Sequence, residues 1–463
     1  MEKILTDIVT AVNDVLWNKY LLLLFLLLGS GIYFTFRTRF VQVRKFGEGM
    51  RMVFGNISLK GKAAGKEGMS SFQALSTAVA AQVGTGNIAG CASALVSGGP
   101  GAIFWMWVSA FFGMATIYGE AVLAQKYKSI GKDGAVSGGP IYYIKAAFKG
   151  KLGTFMAGFF AVAIILALGF MGNMVQSNSI GDAFYTAFGI PKPAVGIAVA
   201  AVSAFIFLGG VRRIASITEK LVPAMACFYI IGAVAAIVMN AENILPALQS
   251  IFVGAFQPQA VMGGAIGVSV KEAVRFGVAR GLFSNEAGMG STPHAHAMAR
   301  VEKPQDQGAV AMVGVFIDTF VVLTITALVI LTSGKLGTTG VDGEILTATA
   351  LAQAAFNHSF GGFGNIFVAV CLLFFAFSTI ISWYFFGETN IKALFKENKT
   401  AKAVYGVIAL IFIIVGSFQK VTLVWDMSDM FNGLMVIPNL LALIVLSRFV
   451  VRFAKDETYR GED

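Results

Sequence analysis

The chain has 463 residues, of which 56% are hydrophobic and only 13% charged, and its mean hydropathy is +0.74. A water-soluble globule of this length could not hide so much apolar surface, so the composition excludes a soluble enzyme or adaptor and indicates an all-α polytopic membrane protein. The net charge of +10 does not call for nucleic acid, because the basic residues fall in short connections between apolar runs and form no basic stripe with interleaved aromatics. Cys91, Cys227 and Cys371 lie far apart within apolar segments, which suits neither a disulfide frame nor a metal knuckle. Glu2, Asp7 and Asp14 precede the first apolar run, so no cleavable basic leader is expected.

In chain order, eleven segments come near the roughly 20 residues needed to cross about 30 Å of hydrocarbon. The first, 17–36, reads as an anchor outside the core. The second, 71–97, begins and ends as apolar helix, but its centre, Gly84-Thr85-Gly86-Asn87, is made of poor helix formers. An unwound backbone in hydrocarbon is tolerated only where it lines a cavity or binds something, so a broken helix here marks a candidate site. A glycine-rich helix packed closely on a neighbour is the alternative. Further spans follow at 101–125, 154–180, 194–210, 217–240, a second broken region at 260–291, then 308–333, 362–388, 402–419 and 428–451.

The loops test that count. Arg37, Arg39, Arg44, Lys45, Arg51, Lys60, Lys62 and Lys66 crowd the first connection, whereas the turn at 98–101 carries no charge. Basic clusters recur at every second connection: Lys126 to Lys149, Arg212 to Lys220, Arg300 and Lys303, Lys392 to Lys402, and Arg448 to Lys455. This alternation places the N-terminus outside and the C-terminus in the cytoplasm of a cell-membrane protein. Setting the first span aside leaves five plus five, with repeat 1 at 71–240 and repeat 2 at 260–451, each opened by a broken helix. Because five is odd, the second half enters from the opposite side and the repeat is inverted. Ser284-Asn285-Glu286-Ala287-Gly288-Met289-Gly290-Ser291 matches Gly86-Asn87-Ile88-Ala89-Gly90-Cys91-Ala92-Ser93 at Asn, Ala, Gly and the final Ser, which agrees with duplication.

Val83-Gly84-Thr85-Gly86-Asn87-Ile88-Ala89-Gly90, Gly98-Gly99-Pro100-Gly101-Ala102-Ile103-Phe104-Trp105-Met106-Trp107 and Arg280-Gly281-Leu282-Phe283-Ser284-Asn285-Glu286-Ala287-Gly288-Met289-Gly290-Ser291 resemble the signature runs of the alanine or glycine:cation symporter family. The resemblance spans nearly the whole chain. One departure is Ile117, where many members would carry a lysine. It implies the five-plus-five inverted fold of leucine-type sodium symporters and sodium-coupled uptake of alanine or glycine, with no enzyme activity and no cofactor. Sodium would be co-transported cargo, and the other partners would be the small neutral amino acid and the lipid bilayer.

Sodium requires oxygen ligands, and Ser378 and Thr379 are adjacent hydroxyls in a very apolar run. By resemblance to the leucine-type fold, they would meet the Phe375 carbonyl one turn earlier and the Ala80 and Val83 carbonyls flanking the first break. Bonding back into their own helix is the alternative. Proton coupling would want an ionisable group from the fifth core helix, but Pro223-Ala224-Met225-Ala226-Cys227-Phe228 offers none. Aligning Phe276-Gly277-Val278-Ala279-Arg280-Gly281 with the unwound part of the sixth core helix puts Gly277 where a second site would need an oxygen beside Asn87. One sodium is therefore expected.

For a zwitterionic substrate, the N–H groups of Thr85 and Gly86 at a half-helix start suit a carboxylate, and Gln82 adds an amide. Carbonyls near Phe276, Gly277 and Ala279 suit the ammonium. Phe170 and Asn173 share a face of the third core helix, and Trp383 lies one turn beyond Thr379; bulky Phe170, Phe276 and Trp383 would leave room only for a small side chain. Intramembrane charges are costly and usually functional: Glu120, Arg275, Arg280, Glu286 and Asp318 are the candidates. Arg280 with Glu286 or Asp318 would form either a gate or a static brace. The H-x-H of His294 and His296 lacks a third ligand and reads as a cytoplasmic helix end. No repeated polar ring suggests a channel, and no nucleophile and base suggest an intramembrane enzyme.

Overall fold

A backbone in hydrocarbon must satisfy its own polar groups, and the chain does so almost entirely with helices. The computed structural model describes residues 2–55, 68–130, 136–262, 268–340, 343–396 and 398–461. Lys60, Lys62, Lys66 and Lys132, counted above among the loop charges, lie outside the described residues.

Helices α1 (Glu2–Asn13) and α2 (Leu22–Arg37) form the first apolar run, followed by the short α3 (Val41–Arg44) and α4 (Phe46–Phe54). The first broken helix comprises α5 (Ser71–Gln82), a wide turn over Gly86–Gly90, and α6 (Cys91–Gly98), with a bend of 45° between its halves. Helix α7 (Gly101–Tyr127) precedes a small two-stranded ribbon, β1 (Ser129–Ile130) with antiparallel β2 (Val136–Ser137), and α8 (Pro140–Ala147). Helices α9 (Gly150–Ile164) and α10 (Asn173–Phe188) join through a wide turn at Ile165–Gly172 into one long element. Next come α11 (Lys192–Phe207), α12 (Gly210–Val238), α13 (Ile244–Phe256) and α14 (Pro258–Met262).

The second broken region holds α15 (Val270–Asn285) and α16 (Pro293–Met298). Helices α17 (Pro304–Val315) and α18 (Thr324–Thr332) are joined by a wide turn at Phe316–Leu323, and α19 (Ala348–Phe360) lies in the long loop that follows. The chain closes with α20 (Phe363–Phe395), α21 (Lys399–Gly416), α22 (Val421–Val445) and α23 (Ser447–Lys455).

Eight described helical runs are long and apolar enough to cross a membrane, or nine with the bent pair. Helix α11 has only 16 residues, as does α15, which is also interrupted before α16. The protein is a multi-pass membrane protein.

Local sequence explains where the two broken helices begin. Ser70 Oγ accepts from the Gln73 N–H at 3.0 Å while its own N–H donates to Gln73 Oε1 at 3.2 Å. Ser269 and Glu272 repeat this reciprocal cap at 3.2 and 2.7 Å. Each cap satisfies N–H groups that a helix start otherwise leaves open. Both broken helices therefore start with the same chemistry.

Candidate functional site at the two helix breaks

The first break is a short unwound stretch held by side chains from other helices. Gly84 N–H donates to Asn87 Oδ1 at 3.0 Å and Thr85 N–H to Gln176 Oε1 at 3.0 Å. Gln82 Nε2 donates to the Asn285 carbonyl at 2.7 Å, which ties this break to the end of α15. Asn87 Nδ2 donates to Asp318 Oδ1 at 2.7 Å, and Ser284 Oγ donates to the same oxygen at 2.9 Å. Thr319 Oγ1 donates to Asp318 Oδ2 at 2.8 Å. Asp318 thus lies where α17 gives way to a wide turn, a feature that often accompanies functional positions.

Four of the five residues expected to ligate a cation lie together. Thr379 Oγ1 is 2.8 Å from the Ala80 carbonyl and 3.1 Å from the Phe375 carbonyl, and Ser378 Oγ is 3.3 and 2.8 Å from the same two. Both hydroxyls now donate to carbonyls, across to α5 as well as back into α20. Four oxygens from two helices therefore share one small patch, and all four residues are buried. Val83 leaves helical geometry at φ −81, ψ 86. A Cβ on Gly84 would sit 2.3 Å from Thr379 Oγ1, so this approach of the break to α20 requires glycine. The residues fit a hard cation held by hydroxyl and carbonyl oxygens.

The second break lies further along than the sequence alignment placed it. Helix α15 is continuous through Phe276, Gly277, Val278, Ala279, Arg280 and Gly281, and ends only at Glu286, which adopts φ +60. Carbonyls inside a helix accept from its own N–H groups, so Phe276, Gly277 and Ala279 lose the expected role of exposed acceptors. Gly277 instead faces α7, where a Cβ would meet the Ala102 carbonyl at 2.6 Å. The unwound residues are 286–292, with Gly288 at φ +94 and Gly290 at φ +80. Glu120 of α7 accepts from Gly288 N–H at 3.0 Å and Gly290 N–H at 2.8 Å, and Asn439 Nδ2 donates to it at 2.7 Å.

This shift brings Ser284 beside Asn87 and Asp318. A side-chain oxygen therefore stands where Gly277 was expected to leave none, and the ground for expecting a single sodium is removed.

The third core helix also presents a different face. Phe170 stacks on Phe412 of α21 at 4.9 Å and tilts toward Tyr405 at 5.7 Å. Asn173 Nδ2 donates to the Gly169 carbonyl at 3.0 Å. The residues turned to the break are Gly172, where a Cβ would lie 2.4 Å from the Trp383 ring, and Gln176. Trp383 Nε1 donates to Glu286, and its ring stands edge-on to Phe283 at 5.6 Å. Phe283 packs on Trp425 at 4.7 Å, and Gly86 approaches Phe283 and Ser284. An aromatic wall of Phe283, Trp383 and Trp425 replaces the expected one of Phe170, Phe276 and Trp383.

The anticipated charge pairs are corrected too. Arg280 Nη1 donates to Asp429 Oδ1 at 2.7 Å, and its guanidinium lies over Trp425 at 4.4 Å; neither Glu286 nor Asp318 is its partner. Ser291 Oγ donates to Glu286. Glu388, not singled out from sequence, is buried between Lys392 at 2.9 Å and Lys402 at 2.8 Å. His294 meets the Ser291 carbonyl through Nδ1 and Asn390 through Nε2, while His296 meets Gln307. Among the described residues, no group of three or more His, Cys, Asp or Glu is arranged to hold a metal.

Sequence reasoning missed Gln176, Phe283, Trp425 and Asp429. The run Ser177-Asn178-Ser179 beside Gln176 in an otherwise apolar span was an available signal for that helix; nothing local marked Trp425 or Asp429. Thr85 Oγ1 and Gln176 Nε2 are buried with no hydrogen-bond partner, so the first break carries unused polar capacity on both sides of the Thr85 N–H.

Comparison with known proteins gives a consistent result. The model of the sodium:alanine symporter family matches residues 1–462. The sodium/alanine symporter AgcS of Methanococcus maripaludis is 41% identical over 451 residues, covering 97% of this chain and 96% of that protein. A Bacillus subtilis relative named "Probable sodium/glutamine symporter GlnT" is 43% identical over 458 residues, covering 99% and 92%. The solved structure of MhsT in complex with L-phenylalanine superposes with a TM-score of 0.58 at 14% identity, covering 85% of this chain and 100% of that one. At that identity the likeness speaks to the fold alone.

Proposed function

The chain belongs to the sodium:alanine symporter family, and from that premise we propose that it couples inward sodium movement to uptake of a small neutral amino acid by alternating access. The carrying observation is the patch formed by the Ala80 and Phe375 carbonyls with the Ser378 and Thr379 hydroxyls. Val83 completes the ligand set through its carbonyl. One sodium entering across 100 mV supplies about 2.3 kcal/mol, and at least one enters with each substrate.

The substrate lies beside the first break. Its carboxylate takes the Thr85 and Gly86 N–H groups at the start of a half-helix, where backbone donors and the helix dipole favour an anion. To reach Thr85 it displaces the Gln176 carbonyl oxygen, after which the Gln176 amide can rotate to donate. Gln82 supplies a further amide near the break. The ammonium turns to the second break, where Glu286 and the carbonyls of its unwound residues replace those formerly assigned to Phe276, Gly277 and Ala279. Trp383 and Phe283 stand where a side chain would extend, which favours alanine or glycine over a long amide.

Eleven spans in an N-outside, C-cytoplasmic arrangement, with one extra helix and an inverted five-plus-five repeat in the cell membrane, are consistent with this reading. Helix α11 and the pair α15 with α16 supply the spans beyond the nine apolar ones, and the matching serine caps at Ser70 and Ser269 favour duplication.

The test is uptake of labelled alanine into proteoliposomes under sodium, potassium or proton gradients, with unlabelled glycine and glutamine as competitors. Sodium-driven accumulation, competed by glycine and lost in Ser378→Ala with Thr379→Ala, is the expected result. A double variant that still couples to sodium would overturn the cation site, and stronger competition by glutamine would overturn the small-substrate assignment.

A further inference from the structure

Helix α1 and the wide turn at Asp14–Asn18 that follows it present one buried stripe. Val9, Asn13, Leu16 and Trp17 are buried, at the spacing of a single helix face, whereas Ile8 and Val15 are exposed. The stripe lies against the first half of α22. Gly433 marks the close approach: a Cβ there would lie 2.6 Å from Leu23, 2.8 Å from Leu16 and 3.3 Å from Trp17 Nε1. Within this largely apolar contact two side chains donate to the α22 backbone. Asn13 Nδ2 meets the Asp426 carbonyl at 2.9 Å, and Trp17 Nε1 meets the Asp429 carbonyl at 3.1 Å. A buried donor is costly unless it finds an acceptor, so α22 is held at the one rotation that brings both carbonyls under the two donors.

The same turn of α22 carries part of the candidate site's wall. Trp425 and Asp429, one helical turn apart, both meet Arg280 of α15, through the indole ring at 4.4 Å and the carboxylate at 2.7 Å. Trp425 also packs on Phe283 at 4.7 Å and stands 3.5 Å from the Cβ position of Gly90, just past the unwound stretch of the first break. Phe283 in turn meets Trp383. Rotating α22 by a single residue, about 100°, would carry both Trp425 and Asp429 away from α15. The donors on one side of this turn therefore set where the aromatic wall stands on the other.

We propose that Asn13 and Trp17 are positioning residues for substrate binding. By fixing the rotation of α22 they hold Trp425 against Phe283 and Asp429 against Arg280, and so keep the aromatic wall closed beside an amino acid bound at the first break. They act through α22, and their loss speeds substrate release without changing the cation patch on α5 and α20. This role rests on the proposed function, which places the substrate beside the first break. It gives the opening segment of the chain a part in binding that its apolar composition does not announce.

The test uses the full-length protein in sodium and two variants that keep the apolar contact: Trp17→Phe, which removes only the indole N–H and part of the ring, and Asn13→Leu, which replaces the amide at similar volume. Each should weaken alanine affinity about fivefold, the loss of one hydrogen bond, through faster release of labelled alanine, with the sodium dependence of binding and the Tm little changed. Ile8→Ala, on the exposed side of α1, should match the wild type. In an Arg280→Gln background, where the contact of α22 with α15 is already broken, Trp17→Phe should cost no further affinity, because both changes act on one linkage. Hydrogen exchange over residues 424–433, read without substrate, should be faster in the variant carrying both Trp17→Phe and Asn13→Leu. Wild-type release rates in both single variants, a full fivefold loss added to that of Arg280→Gln, or unchanged exchange over 424–433 would overturn the proposal. Alanine binding by the wild type tests the proposed function itself; the ratio of variant to wild type and the exchange measurement test the positioning.

Discussion

The two helix breaks answer the same problem, open N–H groups in hydrocarbon, with opposite chemistry. At the first, neutral carboxamides take them: Asn87 for Gly84 and Gln176 for Thr85. At the second, one carboxylate, Glu120, takes both Gly288 and Gly290. A neutral hydrogen bond contributes roughly 0.5–1.5 kcal/mol net, and one to a charged group roughly 1.5–3 kcal/mol. On the proposed function a substrate carboxylate outcompetes Gln176 at the first break, whereas at the second the two oxygens of Glu120 already take both N–H groups. Although duplication would make the breaks equivalent, on that proposal the first exchanges its partner while the second stays closed around α7.

That comparison breaks most visibly if Glu120 is removed. Glu120→Ala leaves the Gly288 and Gly290 N–H groups without their acceptor, a loss of several kcal/mol in hydrocarbon. Size-exclusion chromatography of the solubilised protein should show aggregation in place of a single symmetric peak; a well-folded variant would mean that the second break is not held by this carboxylate.

At the first break, Gly84→Ala drives a methyl to 2.3 Å from Thr379 Oγ1. The protein should still be purified in monodisperse form, since a shift of the break can relieve the clash, but sodium-driven uptake should fall by at least about a hundredfold, the equivalent of ~3 kcal/mol of overpacking. Retained uptake would separate the break from the cation patch.

Gln176→Ala removes one partner of Thr85 and should weaken alanine affinity about tenfold, or ~1.4 kcal/mol, with Tm shifted little, as read by isothermal titration and thermal unfolding. Unchanged affinity would mean that the substrate does not meet this helix. The smallest effect is expected from Gly288→Ala, where φ +94 costs a side chain about 1–2 kcal/mol and the nearest neighbour is the flexible end of Leu27 at 3.1 Å: a Tm lower by a few degrees with alanine affinity preserved. A loss of affinity without a stability change would reverse the division between the two breaks.

Much of this was legible in the chain. The first break was marked by Gly84-Thr85-Gly86-Asn87 because glycine disfavours helix wherever it sits. The Ser378 and Thr379 hydroxyls stood out because polar atoms are rare in a long apolar run. The second break was misplaced by several residues, since Gly277 and Gly281 look as helix-breaking as Gly288 and Gly290. What separates them is the environment: α7 packs against Gly277, whereas Glu120 offers acceptors only to the later pair. The face of α9 and α10 was also misjudged by a fraction of a turn, because the wide turn at Ile165–Gly172 shifts the helical phase that a regular period of 3.6 residues assumes.

Apolar run length, loop charge and glycine content are properties of local segments, and by themselves they determined that the chain crosses a membrane repeatedly and where its first broken helix had to lie. Which partner each charge and each open N–H group takes depends on side chains distant in sequence: Arg280 with Asp429, Glu120 with Gly288 and Gly290, and Gln176 with Thr85. Those choices belong to the tertiary structure, because only packing decides which acceptor stands within 3 Å of a given donor once water is excluded.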